Sequence, residues 1–444
     1  MSSIAPEQSR IGIVGLGYVG LSLAAAMARK GFVVYGADSS PDVVYTLSQG
    51  RSHLYEPGVN DILAEEVGKR IFIGAQLPKD GVDVAIICVS TPVGDDHEPV
   101  LENLASAAEE VAGRCAPGTL VVVRSTVPVG ACRSVVLPPL MAAWGSARLV
   151  MAPERTIQGR AMEELASLPQ VVGGVDEESL AAGLALFEPM GNRLLPVSSL
   201  ETAEFVKLAN NCHMDVMYSF GNELALLTDR LGLDPLEVLH ATNTDYPRQD
   251  LAKPGYVGGG CLSKDPYIMM SSARGVGRSL GLIGAARALN EELPEHVGDR
   301  IVDLMREAEV KTLLVLGWAY KGTPPTDDIR GTPIEVMASA FSSAGLRVLG
   351  HDPLVRPDVV RSLGGEPVTL VSGFAQADAV LVITDHPEYR SLDVAALLAG
   401  SDVRLVYDSW RVLDGQEILA RGIRYYGLGY AAPVPAPVVA EVSA

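Results

Sequence analysis

Cys261 lies inside the run GYVGGGCLSKDP, residues 255–266, where three glycines precede the sulfur and a Lys-Asp pair follows it. Gly258, Gly259 and Gly260 carry no Cβ, so the backbone around the thiol can approach a substrate closely. Lys264 and Asp265 follow three and four residues on, where a cation and a carboxylate can tune a thiolate or move protons. An isolated cysteine would read as a small buried apolar residue; its glycines and its charged pair turn this one toward nucleophilic chemistry. A second chemical signal is GLGYVG at residues 15–20. Gly15, Gly17 and Gly20 follow the apolar run RIGIV and precede the helical stretch LSLAAAMARKG. In that strand–turn–helix setting such glycines bring backbone amides against a pyrophosphate. A dinucleotide oxidant and a nucleophilic thiol in one chain point to oxidation through a covalent thioester.

Asp38 ends the next strand run, VVYGAD, 18 residues beyond Gly20. A carboxylate there accepts bonds from both ribose hydroxyls and repels a 2′-phosphate, so the expected cofactor is NAD rather than NADP. Tyr18 and Val19 belong to the same turn and are counted with it as cofactor contacts. Ser90, Thr91 and Pro92 in CVSTP, and Ser125 and Thr126 in RSTVP, each follow an apolar run and so fall at the carboxyl edge of a sheet, where ligands bind. Turn and cap chemistry accounts for the same hydroxyls equally well.

Lys207 and Asn211 stand four apart in a helical stretch from Leu200 to Leu231, off an expected apolar stripe of Phe205, Leu208, Cys212, Val216 and Phe220. A cation and an amide so placed can bind an oxyanion, although their residue types alone favour a solvated helix face. Arg330 and Arg411 leave strand runs of the second half, in PPTDDIRGTP and DSWRVL. Arginine there suits a bidentate grip on phosphate or, equally, a surface ion pair.

The elements that must position these residues are legible as alternating apolar and helical runs. Between residues 10 and 150 the alternation predicts a parallel doubly wound sheet, and from Lys311 it restarts through KTLLVLG, LRVLGHDP, ADAVLVITDH and VRLVYDSW. The predicted fold class is therefore α/β, with two Rossmann-like doubly wound parallel-sheet domains joined by a long helix and a helical dimerisation segment. Expected boundaries are a dinucleotide-binding domain over 1–198, the helical segment over 199–298, a second α/β domain over 299–430 and a flexible Pro- and Ala-rich tail over 431–444. A hydrophobic content of 48% with 20% charged residues is ordinary for a soluble core. A net charge of −19 disfavours nucleic acid and anionic membrane as partners. The chain shows no apolar run of membrane-spanning length and no leader, so a cytoplasmic location is expected. Five cysteines without CxxC spacing argue against a disulfide framework and against a metal site.

Taken in order, GLGYVG at 15–20, STVP at 125–128, PER at 153–155, KLANN at 207–211 and GGGCLSKD at 258–265 resemble the UDP-sugar 6-dehydrogenase family, and YKGTPPTDDIRGTP and DSWRVL extend the likeness to residue 413. The resemblance implies NAD-dependent oxidation of the C6 alcohol of a UDP-hexose to the carboxylate, by a homodimer or higher homo-oligomer. It implies Cys261 as the thiol that captures the aldehyde, Lys207 and Asn211 as oxyanion stabilisers, Asp265 as a proton-handling partner and Glu154 as the base for thioester hydrolysis. Thr126 would contact water or cofactor, and Lys264 the cofactor. Lys321, Arg330 and Arg411 match the UDP-sugar side, with Arg155, Thr156, Tyr256, Gly258 and Gly259 beside it, and Arg248 matches an arginine that reaches a neighbouring subunit's site. Arg155 and Thr156 after the motif's Pro-Glu resemble the N-acetylhexosamine branch (UDP-ManNAc or UDP-GlcNAc), whereas Lys264-Asp265 resembles the UDP-glucose branch. The first is favoured, with UDP-glucose 6-dehydrogenase the alternative. More remote are a one-step β-hydroxyacid dehydrogenase, which needs no cysteine, and a non-catalytic NAD-binding redox sensor.

Overall fold

The computed structural model describes residue 7 and residues 9–432. Of the expected tail, Ala431 pairs in a strand, a correction at its first residue, and 433–444 lie outside the described residues. The chain divides into two compact units, Met1–Cys212 with Lys264–Leu280, and His213–Ser263 with Gly281–Ala444.

The first unit is built on Arg10–Val14 (β1), Val33–Ala37 (β2), Ile71–Gly74 (β3), Val84–Ile87 (β4), Leu120–Val123 (β5), Arg148–Met151 (β6), Gln170–Gly174 (β7) and Leu194–Val197 (β8), in the order β3-β2-β1-β4-β5-β6-β7-β8. β1 to β6 are mutually parallel and β7 runs antiparallel to β6, so the sheet is mixed rather than wholly parallel. The strands read as unbroken apolar runs because both faces are covered. Ile11, Ile13, Ile86 and Val122 enter one core while Val14, Ile87, Val121 and Val123 enter the other, the period of two expected of strands. Strand order reverses between β1 and β4, and ligands bind at the carboxyl ends of strands at such a point.

The second unit carries Thr312–Leu316 (β9), Arg347–His351 (β10), Glu366–Pro367 (β11), Ala379–Val382 (β12), Leu405–Asp408 (β13), Arg424–Gly427 (β14) and Tyr430–Ala431 (β15), ordered β11-β10-β9-β12-β13-β14-β15 and parallel except for the last pair. Its first turn repeats that of the first unit. Gly15 and Gly317 adopt φ of 91° and 90°. Their N–H groups donate across to Ala37 O and His351 O at 2.8 and 2.9 Å. The following amides, of Leu16 and Trp318, donate to Asp38 and Asp352 at 2.8 and 2.6 Å.

The helix Leu200–Leu231 forms as expected but turns a different face inward. Phe205 and Phe220 are 49% and 48% exposed, whereas Glu204, Lys207, Asp215, Ser219 and Asn222 are buried beside Leu208 and Cys212. Partner groups explain the reversal: Glu204 accepts from the amides of Gly130 and Cys132, Asp215 meets Arg287, and Asn222 meets Gly255. A satisfied polar stripe can be buried as stably as an apolar one, and residue type alone does not reveal it.

Candidate active site

The first unit holds the dinucleotide turn. A Cβ at Gly20 would fall 1.9 Å from Gly15 O, and one at Gly15 would fall 2.8 Å from Cys88 O. Those two glycines are therefore required by the protein's own packing. Gly17 is different, because a Cβ there would meet no protein atom within 4 Å. Gly17 caps the N-terminus of the helix Tyr18–Arg29, so its missing side chain leaves the first-turn amides open to a pyrophosphate, and the turn fits NAD. Asp38 accepts from Leu16 N through Oδ2 and from Ser40 N through Oδ1, at 2.8 and 2.9 Å. Each oxygen retains a lone pair for a ribose hydroxyl. Thr91 donates its hydroxyl to Thr126 O at 2.5 Å, and Ser125 donates to Val89 O at 2.7 Å, so these side chains lace the exits of β4 and β5 together. Ser90 accepts from Asn103 at 3.1 Å, and Pro92 is exposed.

Glu154, 7% exposed, lies past the end of β6 and is gripped from three directions. Arg124 Nη2 pairs with its Oε2, and the amides of Arg155 and Thr156 donate to its Oε1 at 2.6 and 2.8 Å. Burial pushes the carboxyl upward, but the charge and hydrogen bond of Arg124, the Thr156 amide and the charge of Lys207 outweigh it and hold Glu154 below the ordinary carboxylate range. Arg124 is itself 2% exposed and also donates to Gln170 at 2.9 Å. The sequence does not mark it as a site residue, although a cation ending the apolar run TLVVV must find a buried counter-charge.

Lys207 is 7% exposed, which overturns the solvated-face reading. One turn along the same helix, Asn211 Nδ2 donates to Asp265 Oδ2 at 2.5 Å, and Lys264 Nζ meets Asp265 Oδ1 at 2.6 Å. Asp265 is fully buried, so an amide and a cation hold its carboxylate in one orientation. Arg155 donates to Asn210 at 3.1 Å. Within the first unit the long helix thus gathers Glu154 through Lys207, and Asp265 with Lys264 through Asn211.

The second unit carries Cys261, which is exposed, whereas Cys88, Cys132 and Cys212 are buried. The glycines before it have a packing cause that the sequence reading did not assign. A Cβ at Gly258 would fall 2.0 Å from Gly331 O, one at Gly259 2.6 Å from the Tyr320 ring, and one at Gly260 2.5 Å from Arg330 Cζ. Gly259 also adopts φ of 85° and donates to Arg330 O at 2.9 Å. The cysteine turn is therefore pressed against the segment Tyr320–Gly331, and the glycines permit that contact. Tyr320, likewise unmarked in the sequence, has its phenol pushed well up by burial, with the Cys261 and Asp328 charges adding to the effect.

Arg330 is held by Asp328, with Nε and Nη2 at 2.9 and 2.6 Å from its two oxygens, and remains exposed. Lys321 Nζ stands 5.5 Å from the Tyr320 ring centroid. Arg411 meets Asp234 at 2.5 Å and lies 4.1 Å over the Tyr430 ring. Tyr256 is buried with its hydroxyl 2.8 Å from Ser409, and Arg248 is exposed beside Tyr246. No group of metal-ligating side chains occurs among the described residues.

A dinucleotide turn with an acid at the second strand, a buried lysine–carboxylate set and an exposed thiol on a glycine turn define a class, the NAD-linked oxidoreductases. Three models of the UDP-glucose/GDP-mannose dehydrogenase family match along the chain: the NAD binding domain over 9–191, the central domain over 201–292 and the UDP binding domain over 314–415. The UDP-N-acetyl-D-mannosamine dehydrogenase of Pyrococcus horikoshii is 31% identical over 433 residues, which covers 95% of this chain and 99% of the relative. The solved UDP-D-ManNAc dehydrogenase of that organism superposes with a TM-score of 0.85 at 30% identity, over 95% of this chain and 99% of that one. A UDP-glucose dehydrogenase from Pyrobaculum islandicum gives 0.81 at 27%, over 97% of this chain and 100% of that one. The chain belongs to the UDP-glucose/GDP-mannose dehydrogenase family and is an NAD-dependent oxidoreductase of a UDP-sugar.

Proposed function

We propose that the substrate is a UDP-N-acetylhexosamine, UDP-ManNAc or UDP-GlcNAc, whose C6 alcohol is oxidised to the uronate. The observation that carries this reading is Arg155-Thr156 directly after Glu154, the pair that resembles the N-acetylhexosamine branch. The similarity to an enzyme named for UDP-N-acetyl-D-mannosamine over almost the whole chain supports it. UDP-glucose is the second reading, favoured by Lys264-Asp265 and by the likeness to the Pyrobaculum enzyme.

The balanced reaction is R-CH2OH plus two NAD+ and one water to R-COO−, two NADH and three protons. NAD, when bound, supplies the acceptor for both hydrides. The second unit contributes Cys261, whose thiolate adds to the aldehyde carbon, because an aldehyde must become tetrahedral before it can lose a hydride. Retention on sulfur also keeps a reactive aldehyde from escaping. To the first unit this reading assigns charge and proton handling. Lys207 and Asn211 stabilise the oxyanion, Asp265 exchanges protons, and Glu154 takes a proton from the water that cleaves the thioester. Thr126, Ser90, Thr91, Pro92, Ser125 and Lys264 are assigned to the cofactor side. Arg330, Arg411, Lys321, Tyr256 and Arg248 are assigned to the UDP-sugar side.

The functional segments in this reading are 1–198 for NAD, 199–298 for linkage and dimerisation, and 299–430 for the UDP-sugar, supported by the three matched stretches. A homodimer is proposed from the outward Phe220, Leu227 and Leu231 of the long helix, 48%, 54% and 61% exposed. A cytoplasmic site of action is proposed from five free cysteines, as expected in a reducing compartment. No helix among the described residues is long and apolar enough to cross a membrane. The substrate reading is tested by comparing kcat/KM for UDP-ManNAc, UDP-GlcNAc and UDP-glucose with NAD. An acetamido sugar should lead by roughly tenfold or more, since a site built around a polar substituent discriminates against its absence. A lead for UDP-glucose would overturn the assignment.

A further inference from the structure

The turn that carries Cys261 is the chain's most glycine-rich stretch around its only exposed thiol among the described residues. Glycines contribute no side-chain packing and resist ordering more than any other residue, so whatever stiffens this turn must come from outside it. Within the second unit that support is a buried polar network built from two helices. Arg287, on the helix Gly281–Glu307, is 2% exposed, and Asp215, on the long helix, is fully buried. Arg287 Nη1 lies 2.6 Å from Asp215 Oδ1 and donates to Leu262 O at 2.9 Å, while Nη2 donates to Val257 O at 3.4 Å. Val257 and Leu262 are the residues immediately before and after Gly258–Cys261.

The network extends one step further on each side. Asn290 Nδ2 donates to Asp215 O and Oδ1 at 3.1 and 3.0 Å. Asn222 holds both backbone groups of Gly255, accepting from its N at 2.7 Å and donating to its O at 3.0 Å, and donates to Asn290 Oδ1 at 2.9 Å. Asn222 and Asn290 are 0% and 1% exposed.

We propose that Arg287, anchored by Asp215, is the positioning residue of the reaction: one guanidinium spans the two ends of the cysteine turn and fixes the direction in which Cys261 presents its sulfur. Two observations favour this over a purely stabilising role. A buried ion pair is commonly no better for stability than apolar residues of equal volume, so its charge alone does not explain its presence. A planar fork of fixed donors reaches the two carbonyls from two different nitrogens, whereas a lysine offers a single rotatable one. The proposal rests on the reading that Cys261 carries the covalent step, and Arg287 acts on that step only through the backbone.

Two variants test it. Arg287→Lys keeps a cation opposite Asp215 but replaces with one nitrogen the two that reach Val257 O and Leu262 O. The double variant Arg287→Met, Asp215→Leu removes both charges together and leaves no buried ion unpaired. In each, kcat should fall on the order of 10²-fold while the KM for NAD stays within about twofold, because misplacing a reacting group by a fraction of its length costs that much. Hydrogen–deuterium exchange should accelerate in the peptide covering 255–262 and stay unchanged in the strands of both units. A folded variant that keeps kcat within about threefold of wild type, or that loses activity with the protection of 255–262 intact, overturns the proposal. The exchange measurement needs no turnover, so it judges the clamp separately from the thioester reading. That reading fails instead if Cys261→Ser turns over at the wild-type rate.

Discussion

Replacing Arg124 with methionine would remove the cation paired with Glu154 and leave a carboxylate that is 7% exposed, still accepting from the amides of Arg155 and Thr156. Breaking one side of a buried pair costs about 3–5 kcal/mol, a large share of a total stability of about 5–15 kcal/mol. For a unit of this size that is a fall in Tm on the order of 10 °C. The sign of the pH dependence is more telling than the size. In the wild type Glu154 is held below the ordinary carboxylate range, so its contribution to stability is present above the unfolded value of about 4.3 and disappears as pH falls through the folded value. Without Arg124, burial dominates and the carboxyl moves upward, so ionisation opposes folding and stability should fall as pH rises above about 4.3. Thermal melts would therefore separate the two proteins: between pH 5 and pH 8 Glu154 gives the wild type no trend, its contribution being lost only below about pH 4.3, whereas Arg124→Met should lose stability as pH rises from 5 to 8. The further change Glu154→Gln should restore part of the lost Tm at pH 8, since the buried carboxylate charge is removed while Lys207 loses the carboxylate it faces. Parallel pH trends in the two proteins, or no recovery in the double variant, would refute the reasoning.

Asp38 should impose NAD on the enzyme, and kcat/KM measured with NAD and NADP should differ by about 10²-fold or more; equal efficiencies would remove the carboxylate from cofactor choice. Gly258→Ala would bring a Cβ to 2.0 Å from Gly331 O, so the cysteine turn must shift and kcat should fall at least about tenfold with NAD affinity kept. Normal turnover there would show that this contact is not needed. Arg330→Ala and Arg411→Ala should raise the KM for the UDP-sugar far more than that for NAD, and an unchanged sugar KM would leave both as ion-pair partners of Asp328 and Asp234.

Both sheets are readable from runs such as RIGIV and TLLVL, because strands covered on two faces are continuously apolar. Strands toward the sheet ends are not, among them QVVGG and LLPV, where paired glycines and Pro196 weaken the local signal, and the short Glu366–Pro367, Arg424–Gly427 and Tyr430–Ala431. Cys261, Gly17 and Asp38 stand out as candidates in the sequence because the chemistry expected of them depends on local spacing. The polar inward face of the long helix does not, because Glu204, Asp215 and Asn222 are buried only by virtue of partners distant in sequence. Arg124 and Arg287 go unmarked for the same reason. Each is a single charge whose meaning comes from a carboxylate in another element. The three glycines before the thiol signal close approach of substrate in the sequence, and the packing of Tyr320, Arg330 and Gly331 supplies a second cause that is not local.

A four-electron oxidation that passes through sulfur is tested by the number of NADH formed per UDP-sugar consumed, read from NADH absorbance with limiting sugar for wild type and Cys261→Ser. Two NADH per sugar are expected from the wild type and no completed four-electron turnover from the serine variant, whose hydroxyl is a poor nucleophile toward an aldehyde at neutral pH. One NADH per sugar from the wild type, or two from Cys261→Ser at an undiminished rate, would contradict it.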